Sequence, residues 1–167
     1  STLHTNSAAG AFPRRLDMKI EPFLIASTVN VVIAQRLVRT LCAEREKYFL
    51  NEKEIATLSK DFNLDRILEV LKTYKLAPAH AIFKNIPFYR AKPGKDCPDG
   101  YKGRIGIHEV LEVTETVKAL VTRNATSDEI EAQTKKEGMV TMLEDGFIKA
   151  AQGITSLEEV LRVIHEE

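Results

Sequence analysis

Several things that this chain has little of narrow its class before any motif is read. No apolar run is long enough to cross a bilayer. The longest, from Phe23 to Ala34, is broken by Ser27, Thr28 and Asn30, whereas a spanning helix needs about 20 apolar residues, so any membrane role is expected to be peripheral. Cysteine is scarce: Cys42 and Cys97 stand far apart in a chain without secretory features, which predicts a reducing, cytosolic setting and no structural disulfide. Net charge is zero, and no dense basic patch with interleaved aromatics appears, so nucleic-acid binding is not expected. The start, Ser1-Thr2-Leu3-His4-Thr5-Asn6-Ser7, has neither an initiating Met nor a charged-then-apolar leader, and reads as the tail of something longer. No Ser/His/Asp set or Cys/His dyad can be proposed from spacing; His108 falls in an expected strand and His165 in the last expected helix.

What is present is a globular composition, with 44% hydrophobic and 29% charged residues over 167 positions, enough for one moderate core or two small ones. The zero net charge hides an asymmetry of +3 over residues 1–39, +4 over 40–108 and −7 over 109–167. Such a gradient fits modules that meet different partners, or simply solvated faces. Leu3 to Asn6 reads as a strand end, followed by a helix capped at Asn6 or Ser7 that runs to about Met18 with a kink at Pro13. A second helix starts at Glu21-Pro22, and the β-branched stretch Val32–Leu41 reads as a strand.

The segment 43–96 changes character. Glu52–Ser59 and Asp65–Tyr74 are predicted helices and Phe83–Arg90 an extended stretch. Pro93-Gly94 and Pro98-Asp99-Gly100 make turns around Cys97, and Ile105–Val113 alternates as a strand. Beyond Glu115 the pattern is helical, over about 115–124, 127–137, 140–151 and 156–165. Capping boxes are expected at Thr126–Glu129 and Thr155–Glu158, with Gly138 and Gly153 as helix stops. The elements predict an α/β class in three segments: 1–42, 43–114 as an inserted module, and 115–167 as a helical subdomain.

The run Ser1-Thr-Leu-His-Thr-Asn-Ser-Ala-Ala-Gly-Ala-Phe-Pro-Arg-Arg-Leu-Asp-Met18, then Glu21-Pro-Phe-Leu-Ile-Ala-Ser27 and Val32-Ile-Ala-Gln-Arg-Leu-Val-Arg-Thr-Leu-Cys42, resembles the C-terminal third of the type II secretion and type IV pilus assembly ATPases. Gly100-Tyr-Lys-Gly-Arg-Ile-Gly-Ile-His-Glu109, Gly138-Met139 and Asp145-Gly-Phe-Ile-Lys149 continue the likeness in order. The resemblance covers nearly the whole chain and is weakest over 43–96. It implies the tail of a RecA-like P-loop ATPase domain, then a small α+β insert in place of the family's zinc region, then a helical C-terminal subdomain. It further implies a hexameric cytoplasmic motor that uses ATP and Mg, sits peripherally at the inner membrane and works on secretion or pilus platform proteins. The phosphate loop of such motors, Gly-x-x-x-x-Gly-Lys-Ser/Thr, is not in these residues. The only Gly-Lys pair, Gly94-Lys95, is followed by Asp96 and lacks the earlier glycine, so the chain by itself is not expected to hydrolyse ATP.

By the same resemblance, His4 lies in the family's His box and would sense the terminal phosphate, a role suited to an imidazole that titrates near neutrality. Arg36, in the strand after it, could face nucleotide or a neighbouring subunit, or pair with a carboxylate on an exposed face. Cys42 and Cys97 each keep one member of the family's two Cys-x-x-Cys pairs, half of a four-ligand zinc site. One thiolate per pair cannot close such a site. Glu44, Asp96, Asp99 or His80 could substitute, but mixed sites are uncommon in structural zinc. Zinc is therefore not expected, and the helical insert 52–75 is expected to supply apolar surface in its place. The rival reading is a non-enzymatic module whose helices over 115–165 bind a membrane-assembly partner.

Overall fold

Two compact units organise the chain. A computed structural model describes Leu3 and Thr5–His165; His4 lies outside the described residues. The first unit takes the described residues up to Gln35 together with His108–Met142, and the second takes Arg36–Ile107 with Leu143 onward. These units do not coincide with the three segments expected from sequence. Helices are α1 (Ala11–Asp17), α2 (Pro22–Thr28), α3 (Glu52–Asp61), α4 (Leu64–Thr73), α5 (Glu115–Thr122), α6 (Ser127–Lys136), α7 (Met142–Ala151) and α8 (Leu157–His165). Strands are β1 (Val31–Leu41), β2 (Arg45–Phe49), β3 (Pro87–Ala91) and β4 (Tyr101–Glu112). β1 pairs with β4 and β2 with β3, in two two-stranded sheets, so the class is mixed α/β.

In the first unit the core gathers Ala8, Phe12, Ile25, Leu111, Val117, Val121 and Ile130, all buried. Val117 and Val121 stand four residues apart on α5 and so share one face, the spacing that buries a single stripe of a helix. α5 starts where the Thr114 hydroxyl accepts the Val117 amide, and α6 carries the Thr126–Glu129 capping box. α6 stops at Gly138, whose φ of 98° allows the Met139 amide to reach back to the Thr134 carbonyl at 2.9 Å, closing the left-handed turn that glycine favours.

The start of this unit differs from expectation. Leu3, Thr5 and Asn6 are not in a strand, and α1 begins at Ala11 with Gly10 before it, without a side-chain cap. Ser7 instead accepts the Gly10 amide at 3.2 Å, making a local turn that competes with helix. Starting at Ala11 places Pro13 in the first turn, where a missing N–H breaks no helical bond, so the expected kink has no cause.

In the second unit β2 and β3 run antiparallel, with Arg45 opposite Ala91 and Tyr48 opposite Phe88. Phe83, Phe88 and Phe147 are buried, and their rings lie about 6 Å apart in tilted and edge-on pairs, the arrangement that ring quadrupoles favour. α3 opens on an Asn51–Glu54 capping box. Gly146 lets α7 approach α8, because a Cβ there would overlap Val160. The capping box expected at Thr155–Glu158 is displaced by one residue. Ser156 caps α8 through the Glu159 amide at 3.1 Å, while the Thr155 hydroxyl donates to the Arg39 carbonyl at 2.7 Å.

Candidate functional site

The backbone that follows His4 is held by a buried carboxylate. Glu109 occupies an inward position of β4, between Ile107 and Leu111, in the stretch where alternate residues are buried. Its Oε1 accepts the Ala8 amide at 2.9 Å and its Oε2 accepts the Met142 amide at 3.1 Å. Burial pushes the Glu109 carboxyl above the ordinary carboxylate range, and the two amides offset only part of that. The carboxylate thereby joins the turn between Thr5 and Gly10, the middle of the unit's core and the first residue of α7. A cleft of about 380 Å³ opens beside this turn, lined by Leu3, Thr5, Phe12, Arg15 and the start of β1.

In the second unit Arg36 donates through Nη1 to the Val163 carbonyl, one of the last carbonyls of α8, where a cation also suits the negative end of the helix dipole. Glu159 is partnered on both carboxylate oxygens. Its Oε1 accepts the Arg39 amide and Nε, each at 3.1 Å, and Arg162 Nη2 at 2.7 Å. Its Oε2 accepts Arg39 Nη2 at 2.8 Å and Arg162 Nε at 3.1 Å. Burial alone would raise its pKa, but hydrogen bonds from Arg162 and Arg39 outweigh it and hold the carboxyl down at about 2. The Arg39 guanidinium lies 4.2 Å over the Tyr101 ring, and the Tyr101 hydroxyl sits 2.6 Å from Ser156 Oγ. This arrangement fixes the start of α8.

Cys42 and Cys97 are joined in a disulfide, with Cα atoms 6.7 Å apart. The expectation that they remain unbonded is corrected: β1 ends at Leu41, just before Cys42, and the Gly94–Cys97 turn that precedes β4 brings the two positions together across 55 residues of sequence. Both sulfurs are consumed in that bond. Among the described residues no group of three or more His, Cys, Asp and Glu side chains is placed to hold a metal ion. Glu44 and Asp96 line the same cleft as the cysteines, whereas Asp99 pairs with Arg39 at 3.7 Å and His80 stands exposed elsewhere in the loop after α4. Gly94-Lys95 belongs to this turn, closed by the Gly94 and Cys97 backbone pair, and so forms no phosphate cradle.

Sequence reasoning assigned no role to Glu109, Arg39 or Glu159. The signal for Glu109 was available: a carboxylate at an inward position of an alternating strand is costly to bury and must find donors. Nothing comparable marked Glu159: Arg162 is three residues away on the same helix, but Arg39, its other partner, lies 120 residues away.

The chain belongs to the type II/IV secretion system protein family, whose model matches residues 1–162. Among its relatives, the type II secretion system protein E of Xanthomonas campestris pv. campestris is 42% identical over 167 residues, covering 99% of this chain and 26% of that protein. The type IV pilus assembly ATPase PilB of Pseudomonas aeruginosa is 40% identical over 163 residues, covering 98% and 26%. The type II secretion system ATPase E of Vibrio cholerae is 38% identical over 167 residues, covering 99% and 29%. The chain thus spans between a quarter and a third of the length of the curated relatives it matches.

Proposed function

We propose that the chain is the C-terminal portion of a RecA-like ATPase that powers type II secretion or type IV pilus assembly. In this reading it completes the nucleotide site and the subunit contacts of a hexameric ring, in the cytoplasm against the inner-membrane platform. The observation that carries the reading is the agreement over nearly the whole chain with proteins named as secretion and pilus assembly ATPases. ATP with Mg would supply the phosphoryl transfer that powers such a motor. The residues described here contain no phosphate cradle, so that part of the site would come from other sequence. What this chain would contribute is His4, presented to the terminal phosphate by a turn whose Ala8 amide Glu109 holds in place. Arg36 would act on the α8 carbonyl end, tying β1 to the last helix, rather than on nucleotide.

The test is ATP turnover by the complete gene product that contains this chain, compared with its His4→Ala variant. A loss of roughly tenfold or more in turnover, with nucleotide binding held within about twofold, is the expected result for a group that acts on the transition state. Equal turnover sinks the role of His4. Absence of ATP turnover in the unmodified protein sinks the motor reading and leaves the helices of 115–165 as a partner-binding module.

A further inference from the structure

The Cys42–Cys97 disulfide lies in a built cleft, and this feature is independent of the proposed motor role. The cleft, of about 500 Å³, is lined by both cysteines, by Lys92, Lys95 and Lys102, and by Glu44 and Asp96. Both cysteines are partly exposed and all three lysines are exposed, so a small molecule from solvent can reach the sulfurs. Three ammonium groups against two carboxylates give the opening a net positive field, which attracts anions.

The backbone around the two sulfurs is tied independently of the S–S bond. The Gly94 amide donates to the Cys97 carbonyl at 2.9 Å and the Cys97 amide to the Gly94 carbonyl at 3.2 Å. The Gly100 amide reaches the Cys97 carbonyl at 3.0 Å, and the Cys42 amide reaches the Gly100 carbonyl at 3.0 Å. These four backbone hydrogen bonds do not pass through the S–S bond and can hold the two thiols near each other once it opens.

We propose that this cleft is a thiol-exchange site for an anionic low-molecular-weight thiol, drawn in by Lys92, Lys95 and Lys102. The thiolate of that molecule attacks one of the two sulfurs, forming a mixed disulfide, and the electron pair of the broken S–S bond leaves on the other. A second thiolate attacks the outer sulfur of the mixed disulfide and expels the protein sulfur as a thiolate. Both protein thiolates then take protons. In balance, two small thiols are oxidised to their disulfide while one protein disulfide is reduced to two thiols, and the reverse sequence closes it again.

The experiment uses the unmodified whole chain, opened in parallel by reduced glutathione, an anionic thiol, and by cysteamine, a cationic one, at matched thiolate concentration. Alkylation after an acid quench and intact mass report free thiols and mixed disulfide. At low ionic strength the anionic thiol should open the bond about three- to tenfold faster, through an adduct of one thiol per chain on one of the two cysteines. The ratio should fall to near one in about 0.5 M salt. It should fall likewise in the variant Lys92→Gln/Lys95→Gln/Lys102→Gln, whose three positions are exposed, with its circular dichroism unchanged. Equal rates at low salt, a ratio that survives loss of the lysines, or two freely alkylatable cysteines in air-oxidised protein would each overturn the proposal.

Discussion

The Glu109 carboxylate and the Ala8 amide, 101 residues apart in sequence, meet at 2.9 Å inside the first unit, and the second oxygen of the same carboxylate accepts Met142 at 3.1 Å. Replacing Glu109 by Ala strands two buried amides at once. The expected loss is about 2–5 kcal/mol of folding stability, read from denaturant unfolding of the whole chain. Glu109→Gln keeps one acceptor and turns an NH₂ toward the other amide, so it should lose less. A variant as stable as the parent would mean that the amides find other partners.

Acid titration of stability should separate Glu109 and Glu159, both buried, by sign. Glu159 titrates at about 2 in the fold against about 4.3 in an unfolded chain, so between those values the unfolded chain binds more protons. The stability it contributes is complete above the upper value and is lost as pH falls toward 2. Glu109 is shifted the other way; its contribution is present below the unfolded value and fades as pH rises through the folded one. Glu159→Gln should flatten the acid slope and Glu109→Gln should steepen it, as measured by urea midpoints between pH 2 and 6.

Gly146→Ala tests whether α7 and α8 touch backbone to side chain. Helix propensity alone predicts a gain of about 1 kcal/mol. The overlap of the new Cβ with Val160 predicts instead a net loss of about 1–3 kcal/mol. Pairing the change with Val160→Ala should recover part of the loss, a non-additive result expected of residues in contact.

Reduction of the Cys42–Cys97 disulfide releases a loop that spans 55 positions. The chain-entropy model assigns such a loop about 4 kcal/mol. Thermal unfolding with and without reductant should therefore differ by about 10 °C in Tm, and Cys42→Ser/Cys97→Ser should match the reduced protein and ignore reductant. A reductant-insensitive Tm in the parent chain would show that the bond contributes nothing.

Much of the architecture was legible along the chain. The apolar stripe of α5, the Thr126–Glu129 box and the stop at Gly138 are local features, decided within one or two turns by side chains that satisfy nearby backbone. β2 was not read from sequence, because Arg45-Glu46-Lys47 looks like solvated loop; it becomes a strand only through its pairing with Pro87–Ala91. The cap of α8 moved from Thr155 to Ser156 because the Arg39 carbonyl captures the Thr155 hydroxyl, a partner distant in sequence. Of the candidate site, the roles of His4 and Arg36 rest on resemblance alone, and the buried carboxylate of Glu109 that holds the Ala8 amide was not read from the sequence.

The sequence by itself determined the family and most of the helices, since both depend on residue identity and on contacts a few positions long. Tertiary structure alone decided that Cys42 meets Cys97, that Glu109 is buried between two amides and that Glu159 sits between two arginines. Those pairings join residues tens of positions or more apart, apart from the Glu159–Arg162 pair within α8. The free energy that selects them comes from burying the surrounding apolar surface, which no local window of the chain contains.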